Sequence, residues 1–239
     1  MGAEGGGARL KVAVVIPAYN EARALPGLLC SLGNLRDLFA EVRFVVVDDG
    51  SSDGTAEVAA RHGAEVVRHP SNRGPGPALL SGLRAAQDAD AVVTAGADGA
   101  AGREVASRLI LAVMGGAGIA VASRYVAGAE VRGVPLLRRL LSRGVSVLAC
   151  LVLGLPVRDV TSGFRAYSGE VLRGAFSRWG DALVTCRGRG CQLELLCKCL
   201  PFAGRVEEVS LAPAGGAGSW SWRDAAEALA WLCRAAMQL

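Results

Sequence analysis

Two adjacent aspartates, Asp48 and Asp49, follow the hydrophobic run Phe44-Val45-Val46-Val47. Neighbouring carboxylates repel each other and are costly to bury unless donors or a cation answer them. Hard divalent cations, or the N–H and O–H groups of a base or sugar, are the usual answers. The next residues, Gly50-Ser51-Ser52-Asp53-Gly54-Thr55, form a turn that lets the backbone approach a ligand closely. The same string also reads as a solvated turn, with Asp53 accepting from the orphan amides of a helix over 54–62. Arg138, Arg139 and Arg143 make the start of a later helix basic. Four of the seven cysteines fall between Cys186 and Cys199, but their gaps do not fit a paired C-x2-C zinc pattern. They read as reduced, small apolar residues. His62 and His69 read as surface side chains.

These groups need elements to hold them. Lys11 to Ile16 is a β-branched run stopped by Pro17, Val42 to Val47 is a second buried strand, and Glu65 to Arg68 and Ala91 to Ala95 are shorter ones. Between them the apolar spacing predicts helices over 21–32, 54–62 and 77–87. Strands alternating with helices through short connections imply α/β architecture, with a mainly parallel central sheet and helices on both faces. Ligands in such sheets bind beyond the carboxyl ends of the strands. That rule selects the loops 17–21, 48–53 and 96–104. In the second half, helices are expected over 104–114, 135–153, 190–200 and 223–239, and strands over 119–123 and 206–211. Residues 157–167 read as polar and turn-rich. The division expected is a flexible start over 1–10, one catalytic-type domain over 11–211, and a loop with an amphipathic helix over 212–239.

The chain has 239 residues, of which 51% are hydrophobic and 20% charged, which excludes a disordered or fibrous protein. A formal net charge of +4 is too small to argue for nucleic acid. The mean hydropathy of +0.34 raises the question of a membrane. The longest uncharged apolar run, 144–157, is too short to span a bilayer and is broken by Gly154 and Pro156. The Gly-rich residues 1–9 do not resemble a signal peptide. A cytoplasmic protein, peripheral on a membrane at most, is expected.

Val15-Ile-Pro-Ala-Tyr-Asn-Glu21 and Val46-Val-Asp-Asp-Gly-Ser-Ser-Asp-Gly-Thr55 resemble the opening blocks of a family 2 glycosyltransferase. Asn72-Arg73-Gly74 is similar to that family's next block. Ser123-Arg-Tyr-Val126 and Asp159-Val-Thr-Ser-Gly-Phe-Arg-Ala-Tyr167 resemble its polyprenyl-phosphate (dolichyl-phosphate) mannosyl- and glucosyltransferase branch. The resemblance implies a GT-A fold, a nucleotide-diphosphate sugar, Mg²⁺ or Mn²⁺, and a polyprenyl phosphate acceptor. It places Pro17, Tyr19 and Glu21 on the base and ribose of the sugar donor, and Asp48 and Asp49 on the nucleotide, with Asn72 and Gly74 in the same donor-side region. It makes Asp98 the metal ligand, and Arg124 a cation near the transferred sugar or acceptor phosphate. Arg138, Arg139 and Ser142 fall in the segment facing the lipid phosphate. Asp159, Thr161, Ser162 and Arg165 fall in the acceptor-side turn, and Asp98, Arg124 and Asp159 are the candidates for the catalytic group. For Glu194, beside Gln192, a structural and a functional role stay equally open. Trp220, Trp222 and Trp231 read either as a membrane-interface cluster or as packing.

Two segments depart from the family pattern. Gly96-Ala97-Asp98 stands where Asp-Ala-Asp is usual, leaving one carboxylate, and Ala100 replaces a further ligand. Residues 206–222 contain no Lys or Arg where the family offers a basic clamp. A second reading therefore stands beside active transfer: a relative that binds nucleotide without transferring sugar. Transfer to a soluble acceptor is a third, and a dinucleotide-dependent dehydrogenase is disfavoured because no G-x-G-x-x-G follows the first strand.

Overall fold

The structure, a computed structural model, describes residues 10–97, 102–129, 136–211 and 222–236. Within these residues seven strands form one sheet: β1 (Lys11–Ala18), β2 (Glu41–Asp48), β3 (Glu65–Arg68), β4 (Ala91–Thr94), β5 (Ile119–Ser123), β6 (Arg165–Ser168) and β7 (Val206–Ser210). Their order is β3-β2-β1-β4-β6-β5-β7. Among the described residues eight α-helices connect or flank them: α1 (Leu25–Gly33), α2 (Thr55–Arg61), α3 (Pro75–Ala85), α4 (Arg103–Met114), α5 (Leu136–Leu153), α6 (Gly169–Trp179), α7 (Cys191–Ala203) and α8 (Trp222–Ala236).

The sheet carries a core on each face, which is why β1 and β2 read as unbroken hydrophobic runs instead of alternating ones. Val12, Val14 and Ile16 of β1 pack with Leu25, Leu29 and Leu109 of α1 and α4. Ala13 and Val15 turn to the other side, among Leu79 and Leu83 of α3 and Leu195 and Leu196 of α7. Each fully buried Val, Leu or Ile among them contributes roughly 1.5–3 kcal/mol. α3 begins at Pro75, two residues earlier than its apolar spacing predicts, with proline in the first turn, where its missing N–H costs nothing.

β1 to β4 run parallel, and register places Ala18 of β1 opposite Asp48 of β2. The segments after β1, β2 and β4 therefore leave the sheet at one rim. β6 is antiparallel to both β4 and β5. That reversal delivers the segment before β6, residues 157–164, to the same rim. Residues 165–167 were expected to be part of a polar turn; with Ser168 they form a strand, Arg165 paired across from Thr94. The helix α6 that follows was not foreseen, although Ser168 is a good cap and its hydroxyl accepts from Val171 N–H.

Among the described residues no helix is long and apolar enough to cross a membrane. Trp231 of α8 is buried in the core, so of the two readings for that residue packing holds; residue 220 and the side chain of Trp222 lie outside the described residues. Cys186, Cys191 and Cys199 are buried, whereas Cys30 and Cys233 are exposed. Burial pushes the thiols of Cys186 and Cys199 up to about 12. Iodoacetamide on the native protein at pH 8 is therefore expected to mark Cys30 and Cys233 and to spare the three buried thiols. Peptide mass spectrometry reads this directly, and equal labelling of Cys191 would contradict the packing of α7.

Candidate functional site

A cleft of about 330 Å³ opens at the carboxyl rim of the sheet. It is lined by Pro17 to Tyr19 and Glu21 after β1, Asp49 after β2, Asn72 and Pro75 before and in α3, and Thr94 to Ala97 after β4. Thr161 and Gly163 from the segment before β6 complete one side, and Arg189, Cys191 and Gln192 the other. All three loops selected by the strand-end rule reach this rim. Sequence reasoning did not single out Thr94, Arg189 and Cys191; only the sheet order brings their elements to the same place.

The loops are bound to one another before any ligand is considered. Asn20 takes the left-handed conformation (φ 54°), which asparagine tolerates better than most residues. Its N–H donates to Ser51 Oγ, and its side-chain oxygen accepts from Ser52 N–H, each at 2.9 Å. Glu21 N–H donates to Thr55 Oγ1 and Ala22 N–H to Asp53 Oδ2. Asp53 also accepts from Thr55 N–H at the start of α2, so it does act on that helix, from the position before the Gly54 cap. The Thr55 hydroxyl, together with backbone amides, holds the Asp53 carboxyl below the usual carboxylate range. The polar residues of the Gly50–Thr55 string thus fasten the turn after β1 to the turn after β2. Gly50 (φ +74°) is obligatory there, because a Cβ would lie 2.5 Å from the Ser71 carbonyl carbon.

Asp48 and Asp49 are 2% and 3% exposed, and each is answered by a different set of donors. Asp48 Oδ1 accepts from Ser51 N–H, and Arg68 Nε lies 3.5 Å from Oδ2. Asp49 accepts from the N–H groups of Arg73 and Gly74 and from His69 Nδ1 at 2.6 Å. His69 Nε2 meets Ser81 Oγ on α3 at 2.9 Å. The expectation of a surface role for His69 is therefore corrected: it is buried and ties Asp49 to α3, because β2 and β3 bring the two side chains together. His62 stays exposed, its ring against Val58 O. Asn72 and Gly74 sit on the turn that Asp49 holds, and Tyr19, 48% exposed, stands at the cleft mouth.

A second cluster adjoins the cleft. Arg124 binds Asp159 through both Nε and Nη2 at 2.8 Å, and its Nη2 also reaches Ser142 Oγ on α5 and Thr161 Oγ1. Burial pushes the Asp159 carboxyl up, but the Arg124 guanidinium outweighs it and holds the group below the usual carboxylate range. Asp159 Oδ1 further accepts from Ser162 N–H, while the Ser162 hydroxyl is turned to Phe164. Arg165 behaves differently from the acceptor-contacting side chain expected of it. It is 0% exposed, and its guanidinium donates to the carbonyls of Val160 and Gln192. It braces the turn from within, because β6 points it into the core beneath α7. Glu194 is likewise fully buried, accepting from Thr185 and Cys186 N–H groups and pairing with Lys198. Of its two open roles, the structure supplies the structural one.

Asp98 and Ala100 lie outside the described residues, and so do the side chains of Arg138 and Arg139, whose backbone forms the first turn of α5. Among the described residues no three His, Cys, Asp or Glu side chains converge as a metal site. Gly96 and Ala97 line the cleft without a donor side chain, and the oxygens of Asp49 are already occupied. The described donor set suits an ion that takes few side-chain ligands and fills the rest of its sphere with diphosphate and water, as Mg²⁺ and Mn²⁺ do.

Residues 13–176 match the family model for glycosyl transferase family 2. A polyprenol monophosphomannose synthase of Mycolicibacterium smegmatis is 38% identical over 169 residues, covering 66% of this chain and 62% of that protein. An undecaprenyl-phosphate mannosyltransferase of Micrococcus luteus is 33% identical over 209 residues, covering 84% and 83%. A dolichol-phosphate mannosyltransferase of Pyrococcus furiosus is 36% identical, but this chain spans only 48% of its length. Among solved structures, glucosyl-3-phosphoglycerate synthase from Mycobacterium tuberculosis, in complex with Mn²⁺, UDP-glucose and phosphoglyceric acid, superposes with a TM-score of 0.72 at 23% identity, over 95% of this chain and 80% of that one. Likeness at that identity speaks for the fold alone, which is GT-A.

Proposed function

The chain belongs to glycosyl transferase family 2, and from that premise we propose that it transfers a hexose from a nucleotide-diphosphate sugar to a polyprenyl phosphate, with inversion at the sugar. The observation that carries this reading is the pairing of two unlike sites at one rim. The cleft of Pro17, Tyr19, Glu21 and Asp49 is the nucleotide end. Beside it, the Arg124–Asp159 cluster adjoins a groove of about 830 Å³ lined by Tyr125, Arg143, Val147, Leu151 and Leu155, which suits an isoprenoid tail behind a phosphate. α5 carries this groove and leaves Val147, Leu148, Leu151 and Val152 exposed, Leu151 by 78%. That face supports peripheral docking on a membrane. The relatives named for polyprenol and undecaprenyl phosphate point to the same acceptor class.

The chemistry asks little of a general base. A lipid monophosphate has a second pKa of about 6, so its oxygen is already a nucleophile near neutral pH. That oxygen bonds to the anomeric carbon as the bond to the nucleoside diphosphate breaks, and the diphosphate leaves with the electron pair. Asp98 would hold a divalent cation, Mg²⁺ or Mn²⁺, which would neutralise the departing charge. The remaining work is orientation: Asp49 and His69 hold the donor-side turn, and Asp159 aims Arg124. We assign Arg138 and Arg139, at the start of α5, to the acceptor phosphate, together with Ser142 and Thr161.

Incubation with Mn²⁺, a short polyprenyl phosphate and labelled GDP-mannose or UDP-glucose is expected to yield lipid-linked sugar, read by thin-layer chromatography. A second reading, nucleotide binding without transfer, is favoured by one observation: Gly96 and Ala97 place no carboxylate in the cleft. Nucleotide binding with no product from any donor sugar would decide for it.

A further inference from the structure

Six successive backbone amides, from Thr185 to Gly190, all end on carboxylates. Glu194 of α7 accepts from Thr185 and Cys186 at 2.8 and 2.7 Å. Glu227 of α8 accepts from Arg187 and Gly188 through Oε1, both at 2.9 Å, and from Gly190 through Oε2 at 3.2 Å. Asp224, one turn earlier on α8, accepts from Arg189 at 3.1 Å. The last of these amides belong to the entry of α7, where unpaired N–H groups and the helix dipole both favour anions. The acids that answer them from Arg187 onward come from a different helix, about 40 residues further along the chain.

The loop so held is a wall of the cleft. Arg189 lines it, followed by Cys191 and Gln192 at the start of α7. The opposite side of the loop is wedged against α3: Gly76 N–H donates to Arg187 O, and a Cβ at Gly76 would lie 1.8 Å from Cys186 O. Pro75, Ala78 and Leu79 of that same helix also line the cleft. The position of the loop therefore sets the spacing between α3 and the Arg189–Gln192 wall. Glu227 is not among the cleft-lining residues, yet it holds three of the six amides.

We propose that Glu227 is a positioning residue: from α8 it fixes the Arg187–Gly190 wall and thereby the affinity of the cleft for a nucleoside diphosphate. The affinity half of this rests on the cleft being the nucleotide site; the wall half does not. The test uses the full chain with Glu227→Ala and Glu227→Gln, GDP and UDP as probes in calorimetry, and iodoacetamide labelling of Cys186 and Cys191. Glu227→Ala is expected to weaken nucleotide binding about tenfold, the equivalent of one charge-assisted hydrogen bond, while the far-ultraviolet circular dichroism stays unchanged. Glu227→Gln keeps an acceptor for Arg187 and Gly188 but turns an NH₂ group on Gly190, so a partial loss of about threefold is expected. Labelling of the two cysteines rises in the same order.

Cysteines that open while GDP and UDP bind within twofold of wild type would overturn the link to the cleft. Cysteines that stay closed in Glu227→Ala would overturn the clamp itself. Should the wild type bind neither nucleotide, the nucleotide reading of the cleft falls, and labelling alone decides whether Glu227 holds the wall. Should Glu227→Ala fail to fold, Glu227→Gln carries the same comparison.

Discussion

Replacing Asp159 by alanine is expected to cost about 3–5 kcal/mol of stability, the usual penalty for leaving one member of a buried ion pair without its partner. The side chain is fully buried and serves five donors: Arg124 through its N–H, Nε and Nη2, the Thr161 hydroxyl and Ser162 N–H. Its removal strands the Arg124 guanidinium among Ser142 and Thr161, neither of which carries charge. Urea unfolding followed by circular dichroism measures the loss. A double variant, Arg124→Met with Asp159→Ala, should recover part of it, since no unpaired charge remains. Equal losses in the single and double variants would show that the pair is not the cause.

The same pair fixes a pH dependence. The folded-state pKa of Asp159 lies below its unfolded value, so the stability it contributes is present above about pH 4 and is lost as the pH falls through the folded value. Glu194 shifts in the same direction: burial pushes it up, and the Cys186 amide with Lys198 more than offsets this. Acid unfolding should therefore begin below pH 4, and Asp159→Asn should flatten that limb of the profile.

β1, β2 and β4 are readable from sequence because their Val and Ile runs are buried on both faces of a parallel sheet and carry no competing signal. β6 is not, because its four residues, Arg165 to Ser168, include one charged and one polar side chain. An arginine in a short polar segment reads as a loop. It becomes strand only because Val160 and Gln192 carbonyls are there to take its protons, and Gln192 lies 27 residues away. His69 is the same lesson at the site: an isolated histidine is ordinarily exposed, and burial follows from the pairing of β3 with β2, whose following residues, His69 and Asp49, are thereby brought together. The strand-end rule located the cleft, whereas the Arg189–Gln192 wall needed the return of α7 and α8 to the rim. The motif residues Asn20, Ser51 and Asp53 are used to fasten two loops together, which only the meeting of the turns after β1 and β2 reveals.

Asp98→Ala should lower sugar transfer by roughly 100-fold or more, because a cation on the departing diphosphate is worth several kcal/mol at the transition state and Asp98 is the remaining acid of its segment. A stable polypeptide with that loss, set against Asp159→Ala, would separate a defect in chemistry from a defect in folding. Metal binding gives a readout independent of turnover: nucleoside diphosphate affinity should rise with added Mn²⁺ in the wild type and cease to respond to it in Asp98→Ala. Gly96→Asp tests the departure from the opposite direction. Gly96 is exposed in the cleft, and a second carboxylate there should reduce the Mn²⁺ concentration for half-maximal binding by about tenfold, since metal affinity follows ligand charge count. If Gly96→Asp tightens metal binding and raises transfer together, the thin ligand set is what limits this chain. If it tightens metal binding while transfer stays at zero, the missing basic residues over 206–222 become the limiting loss, and the chain is a nucleotide-binding member of its family.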